Sequence, residues 1–125
     1  MYSKAMYSTK MYSKELVRGT LETIVLKLLA ERKRMYGYEI TQQVREITSG
    51  RIEITEGALY PTLHKLEAEN LVQTEIVHIG KRVRKYYALT ESGTAHATAK
   101  ITEFTEFLDT MSKLMNLQPL GVHTA

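Results

Sequence analysis

Gly57-Ala58-Leu59-Tyr60-Pro61-Thr62-Leu63-His64-Lys65-Leu66-Glu67, and after it Gly80-Lys81-Arg82-Val83-Arg84-Lys85-Tyr86-Tyr87-Ala88-Leu89-Thr90, decide how this chain is read. Leu59, Leu63 and Leu66 stand at i, i+4 and i+7, the spacing of a buried helical stripe. Thr55 is a ready N-cap for a helix from about Glu56 to Glu69. The other face of that helix shows Tyr60, Thr62, His64 and Lys65. Pro61 falls at the sixth position, where it removes a donor and crowds the carbonyl of Gly57, so the helix either starts late or bends there. Beyond it, residues 71–79 and 84–89 read as strands joined by Gly80-Lys81-Arg82-Val83.

Charge is distributed unevenly over these pieces. Between Leu71 and Leu89 the basic residues are Lys81, Arg82, Arg84 and Lys85 and the only acid is Glu75, a net +3 that equals the formal charge of the whole chain. A helix feeding a hairpin with a basic tip is the outline of a winged helix-turn-helix, which reads DNA. Residues 55–70 hold one basic and three acidic side chains, so the third helix cannot grip a duplex by charge. Phosphate contacts must then come from the wing and from residues 1–35, which hold eight basic and three acidic residues. The helix, with Thr55 at its start, reads groove edges through Tyr60, Thr62, His64 and Lys65.

Working outward, Leu16, Leu21, Ile24, Val25, Leu28 and Leu29 give a first helix from about Lys14 to Glu31, and the basic turn Arg32-Lys33-Arg34 suits its negative end. A second helix runs from about Gly37 to Thr48, burying Tyr38 or Ile40 with Val44 and Ile47, and Ser49-Gly50 ends it. Ile52-Glu53-Ile54 alternates as a minimal strand would. Thr90 can cap a last helix from about Glu91 to Asn116, stopped by Gln118, Pro119 and Gly121. Ala97, Ile101, Phe104, Leu108, Met111 and Met115 recur along it at alternating spacings of four and three, an a/d seam widened by Phe107 and Leu114. Such a seam packs on its own domain or on a second copy. The second copy is favoured, because the first three helices already supply a core, and a homodimer follows. Phe104 and Phe107 are then dimer core, or a wall of an apolar pocket between subunits where a flat ligand stacks.

The organisation expected is mainly α with a small β-hairpin: an N-terminal extension at 1–13, a DNA-binding unit at 14–90, a dimerisation helix at 91–116 and a tail at 117–125. The extension holds a five-residue near-repeat, Met1-Tyr2-Ser3-Lys4, Met6-Tyr7-Ser8-Thr9 and Met11-Tyr12-Ser13-Lys14. It reads either as sequence upstream of a domain beginning near Met11 or as a basic, aromatic arm.

The totals narrow the function classes. A length of 125 residues, 43% of them hydrophobic, suits one domain with a modest core, and the pI near 9.1 suits a polyanionic partner. The absence of cysteine removes disulfides, thiolate metal sites and cysteine nucleophiles. The four histidines, at 64, 78, 96 and 123, are scattered, none paired with a carboxylate at metal-ligand spacing, so neither a metal nor a cofactor is expected. No phosphate-cradling glycine loop or nucleophile elbow marks an enzyme. The longest apolar run, 24–30, is broken by Lys27, and no apolar stretch follows Lys4 and Lys10, so no membrane partner or secretory signal is expected and a cytoplasmic location is.

Leu16 with Thr20-Leu21-Glu22, Tyr36-Gly37-Tyr38-Glu39-Ile40, the Glu56-to-Glu67 helix and Arg84-Lys85-Tyr86-Tyr87-Ala88-Leu89-Thr90, in that order, resemble the PadR family of bacterial transcriptional regulators. The match covers about residues 14 to 95. The resemblance implies a homodimeric winged helix-turn-helix repressor, released from its operator by a small, often aromatic, effector. Carried over by position, Tyr60, Lys65, Lys81, Arg82, Arg84 and Lys85 become DNA contacts. A single C-terminal helix is similar to the compact branch, some of whose multidrug-binding members line a pore at the dimer interface with an aromatic residue of this helix. Phe104 stands where a tryptophan is expected there. A different class of function remains beside this one: a winged-helix module whose wing cations meet an acidic protein partner.

Overall fold

The structure, a computed structural model, describes residues 11–116; most of the near-repeat, the tail and the expected stop residues Gln118, Pro119 and Gly121 lie outside the described residues. Four helices and a three-stranded antiparallel sheet follow one another as α1 (Lys14–Glu31), β1 (Met35–Tyr36), α2 (Gly37–Ile47), α3 (Glu56–Ala68), β2 (Val72–Ile79), β3 (Arg82–Leu89) and α4 (Glu91–Leu114). This is an α+β winged helix-turn-helix.

Side-chain caps start α1, α3 and α4. Ser13 Oγ accepts from the Leu16 amide at 3.4 Å, Thr55 Oγ1 from Ala58 at 3.2 Å and Thr90 Oγ1 from Gly93 at 3.0 Å, each satisfying an orphan donor of a first turn. Left-handed residues end α2, α3 and α4. Ser49, Asn70 and Asn116 take φ of 53°, 61° and 59° immediately after α2, α3 and α4. After α3, the Asn70 and Leu71 amides return to the carbonyls of Glu67 and Leu66 at 3.0 and 2.9 Å, a Schellman closure.

The core lies where α1, α2 and α3 converge on one face of the sheet. Val25, Leu26, Met35, Ile40, Leu59, Leu63, Leu66 and Tyr87 are fully buried in it. The α3 stripe read from spacing is therefore borne out, and of the pair Tyr38 or Ile40 it is Ile40 that faces inward. Ile47 does not join Ile40 and Val44: it lies exposed at the last turn of α2, while Thr41 is buried instead. Leu16, expected on the α1 stripe, is also exposed, because α1 runs past the edge of the core there.

Two readings of strand are corrected. Ile52-Glu53-Ile54 forms no strand; Ile54 is buried and Ile52 half-buried, but no neighbouring backbone pairs with them. The third strand is instead Met35–Tyr36, with Met35 opposite Tyr87 and Tyr36 opposite Tyr86. The wing is also tighter than expected. β2 and β3 pair from Val72↔Leu89 to Ile79↔Arg82, leaving a two-residue turn, Gly80-Lys81. Gly80 at φ 62° supplies the left-handed first position that a type II′ hairpin turn needs, so Arg82 and Val83 are strand residues.

α3 is helical from Glu56 through Pro61, so it does not start late. Pro61 and Gly57 are both exposed, so the carbonyl deprived of a partner faces water. α4 begins on a close contact: a Cβ at Gly93 would overlap the Leu71 carbonyl oxygen. The same carbonyl accepts from Thr90 N at 3.0 Å, while Asn70 O accepts from Thr90 Oγ1 at 2.7 Å and Ser92 Oγ at 3.1 Å. The base of the wing and the start of α4 are thereby tied to the end of α3.

Candidate nucleic-acid interface

Helix periodicity divides α3 into four sides. Opposite the leucine stripe, Gly57, Pro61, His64 and Ala68 recur at spacings of four, three and four and are all exposed. This outward ridge is nearly free of bulk, so the helix backbone can approach a groove closely. The sequence reading named His64 there but gave no place on this face to Gly57, Pro61 or Ala68, whose side chains are small or, for Pro61, compact.

The flanks hold the other expected readers. Tyr60 is half-buried and packs on the start of α2: a Cβ at Gly37 would overlap its hydroxyl, so Gly37 is what lets the two helices close. Its ring lies 6.3 Å from that of His64. Thr62 is half-buried, with Oγ1 donating to the Ala58 carbonyl at 3.3 Å, and Thr55 is exposed but already used as the N-cap.

Lys65 points to the side of α1. Its Nζ lies 2.9 Å from Glu22 Oε1, and His96 Nε2 of α4 lies 3.3 Å from the other oxygen of the same carboxylate. Burial pushes the Glu22 carboxyl upward, but the hydrogen bonds from Lys65 and His96 outweigh it and hold the group below its ordinary value of 4.5. The same bond raises Lys65 above 10.5. Glu22 carries this junction; the sequence reading quoted it within Thr20-Leu21-Glu22 but gave it no role.

The wing cations fall into two sets because residues alternate across a strand. Lys85 shares the core face with Tyr87 and leans toward α3, 3.8 Å from Glu67 Oε1, whose second oxygen accepts from Thr74 Oγ1 at 3.4 Å. Arg82 and Arg84 occupy the outer face, and Lys81 the turn. Among the described residues no carboxylate pairs with Lys81, Arg82 or Arg84, whereas Lys65, Lys85, Arg32, Arg34 and Arg45 all have one.

The outer face is braced by stacking. The Arg34 guanidinium sits 4.3 Å over the Tyr86 ring, Tyr86 meets Tyr36 edge-on at 5.3 Å, and Arg84 sits 4.4 Å over Tyr36. Arg34 also binds Glu75 across the sheet at 2.6 Å. Hydrogen bonding to the Tyr86 hydroxyl raises Arg84 further above its usual value, so its charge is fixed. Tyr36 and Tyr86 are thus packing residues, whereas Tyr38 stands exposed.

The seam of α4 is covered only at its start. Ala97 is buried, Ile101, Phe104 and Met111 are half-buried, and Phe107, Leu108, Leu114 and Met115 are exposed. Among the described residues no group of histidines and carboxylates could hold a metal, and no helix is long and apolar enough to cross a membrane.

A helix-turn-helix beside a hairpin whose outer cations meet no carboxylate among the described residues is the winged-helix fold of DNA-binding proteins. Residues 25–99 match the model of the transcriptional regulator PadR-like family, and the chain belongs to that family. It is 31% identical to a PadR family transcriptional regulator of Eggerthella lenta, whose crystal structure superposes with a TM-score of 0.72 over 83% of this chain and 88% of that one. A transcriptional regulator structure from Clostridium thermocellum gives 0.73 at 29% identity, over 82% and 97% of the two chains. A transcriptional regulator of Mycobacterium tuberculosis is 32% identical over 85 residues, 68% of this chain and 76% of that protein. Members of the family are transcriptional regulators rather than enzymes, and they bind DNA, typically as dimers.

Proposed function

We propose that this chain is a homodimeric repressor of transcription that binds a pseudo-palindromic operator and is released by a small aromatic or hydrophobic effector. Residues 14–90 form the DNA-binding unit and 91–116 the dimerisation helix, in a cytoplasmic protein with duplex DNA and a second copy as its partners. The observation that carries this reading is the pairing of a bare α3 ridge with three wing cations, Lys81, Arg82 and Arg84, that no carboxylate among the described residues pairs with. In this reading Lys81, Arg82 and Arg84 hold phosphates. Lys85, bound to Glu67, sets the angle of the wing to α3. His64 and the ridge enter the major groove, flanked by Tyr60, Thr62 and Lys65, and Thr55 anchors the first turn.

Two copies joined through Ile101, Phe104, Phe107, Leu108, Met111 and Met115 would set their α3 helices about 34 Å apart, one duplex turn. An effector lodged between Phe104 and Phe107 of the two copies would act by favouring one placement of those helices over the other.

Binding to palindromic and scrambled duplexes, titrated by fluorescence anisotropy over a salt series, tests the reading. The palindrome should bind more tightly at every salt concentration, and Arg82→Ala should weaken both duplexes alike while flattening the salt slope by about 0.9. Equal affinity for the two duplexes, with no salt slope, would leave the wing cations to an acidic protein partner.

A further inference from the structure

The proposed DNA reading gives α3 a single basic side chain, Lys65, and that side chain is occupied from within the protein. Its partner is better fixed than it is. The Glu22 side chain is 23% exposed and its carboxylate is held at both oxygens, whereas the Lys65 side chain is 58% exposed. The ammonium is therefore the end that can leave. The surroundings keep the carboxylate charged: Lys100, one turn beyond His96 on α4, adds to the field on Glu22, and Glu69 on α3 adds to that on Lys65.

A phosphate and a carboxylate compete for the same ammonium through the same charge-assisted hydrogen bond. Glu22 is already in place at 2.9 Å, so a phosphate wins Lys65 only by breaking a bond that is made. Phosphate contacts add affinity for any sequence, and the useful quantity for a regulator is the ratio of specific to non-specific binding.

Resting on that DNA reading, we infer that Glu22 is a specificity-determining positioning residue: its carboxylate takes the place of a phosphate on Lys65 and keeps this cation out of sequence-independent binding. Lys65 leaves Glu22 only where base edges offer it a better acceptor, such as the O6 and N7 of a guanine. His96, on the other carboxylate oxygen, makes the seat of Lys65 depend on α4 as well as α1.

The test uses the full chain with a mixed-sequence duplex and a duplex enriched by the wild type from a random pool. Glu22→Gln should steepen the salt slope on the mixed-sequence duplex by about 0.9, one additional phosphate, and lower the ratio of the two affinities. In a Lys65→Met background the same substitution should change neither quantity, a coupling that general loosening of the fold would not produce. Lysine ammonium NMR of the wild type gives a reading free of folding effects. The Lys65 signal should keep its position in the mixed-sequence complex, while that of Lys81 moves. An unchanged slope in Glu22→Gln, or a Lys65 signal that moves with that of Lys81, overturns the inference. Wild type that binds neither duplex overturns the DNA reading beneath it, and that result is visible before any variant is made.

Discussion

Gly93 shows how far one missing methyl group organises this protein. Its Cα lies so close to the Leu71 carbonyl that any side chain must push the start of α4 off the end of α3. That carbonyl also receives Thr90 N–H, so displacement breaks a hydrogen bond as well. Gly93→Ala should cost about 1–3 kcal/mol, the usual effect of overpacking a closed site. It should lower the urea midpoint without changing the slope of the transition. The Glu22–Lys65 pair, exposed on the lysine side, contributes less, about 0.2–1 kcal/mol. Glu22 is depressed below 4.5, so its share is complete above that pH and lost as pH falls through the lower folded value. Lys65 is raised above 10.5, so its share is complete below that pH and lost above it. The stability advantage of wild type over Glu22→Gln should therefore shrink on acidification through the carboxylate range, measured by urea unfolding at each pH.

In the proposed DNA reading, Pro61 sets stability against recognition within α3. It deprives the Gly57 carbonyl of an intrahelical partner, and its ring stands on the outward ridge. Pro61→Ala should restore that hydrogen bond and raise stability by up to about 3 kcal/mol. The same change should weaken duplex binding roughly fivefold, the equivalent of about 1 kcal/mol of lost groove contact. Thermal unfolding and anisotropy on one preparation would show the two effects diverging; a gain in both would remove Pro61 from the interface. The helices themselves were legible in the sequence because their information is local: Thr55, Thr90 and the leucine spacing lie within the segments they specify. β1 was not, since Met35 and Tyr36 become a strand only against Tyr87 and Tyr86, fifty residues away. Ile52-Glu53-Ile54 misled for the converse reason, carrying strand alternation with no strand to meet. The candidate site divides in the same way. Alternation along β3 put the wing cations in view, but the partners Glu22 of Lys65 and Glu67 of Lys85 come from other helices. Tyr60 looked like a free reader because its fit against Gly37 depends on two helices crossing.

The distal half of α4 leaves its apolar side chains uncovered in one chain. Phe107, Leu114 and Met115 are 53%, 74% and 57% exposed, an apolar run of the kind that soluble proteins cover with a partner. The heptad spacing of Ile101, Phe104, Leu108, Met111 and Met115 suits another helix with the same spacing, and a second α4 supplies one. In the proposed dimer, a charge placed in the middle of the seam would be buried against its own copy, which neither subunit could solvate. Leu108→Glu should therefore sediment as a monomer with unchanged helix content by circular dichroism, because Leu108 takes no part in the buried core of one chain. If two wings per operator do the holding, that monomer should also bind the palindromic duplex with about half the wild-type salt slope, since each phosphate contact contributes roughly 0.9. A halved slope ties dimerisation to DNA binding through the count of phosphates. A variant that stays dimeric moves the interface to other exposed apolar side chains, such as Leu16 in the first turn of α1.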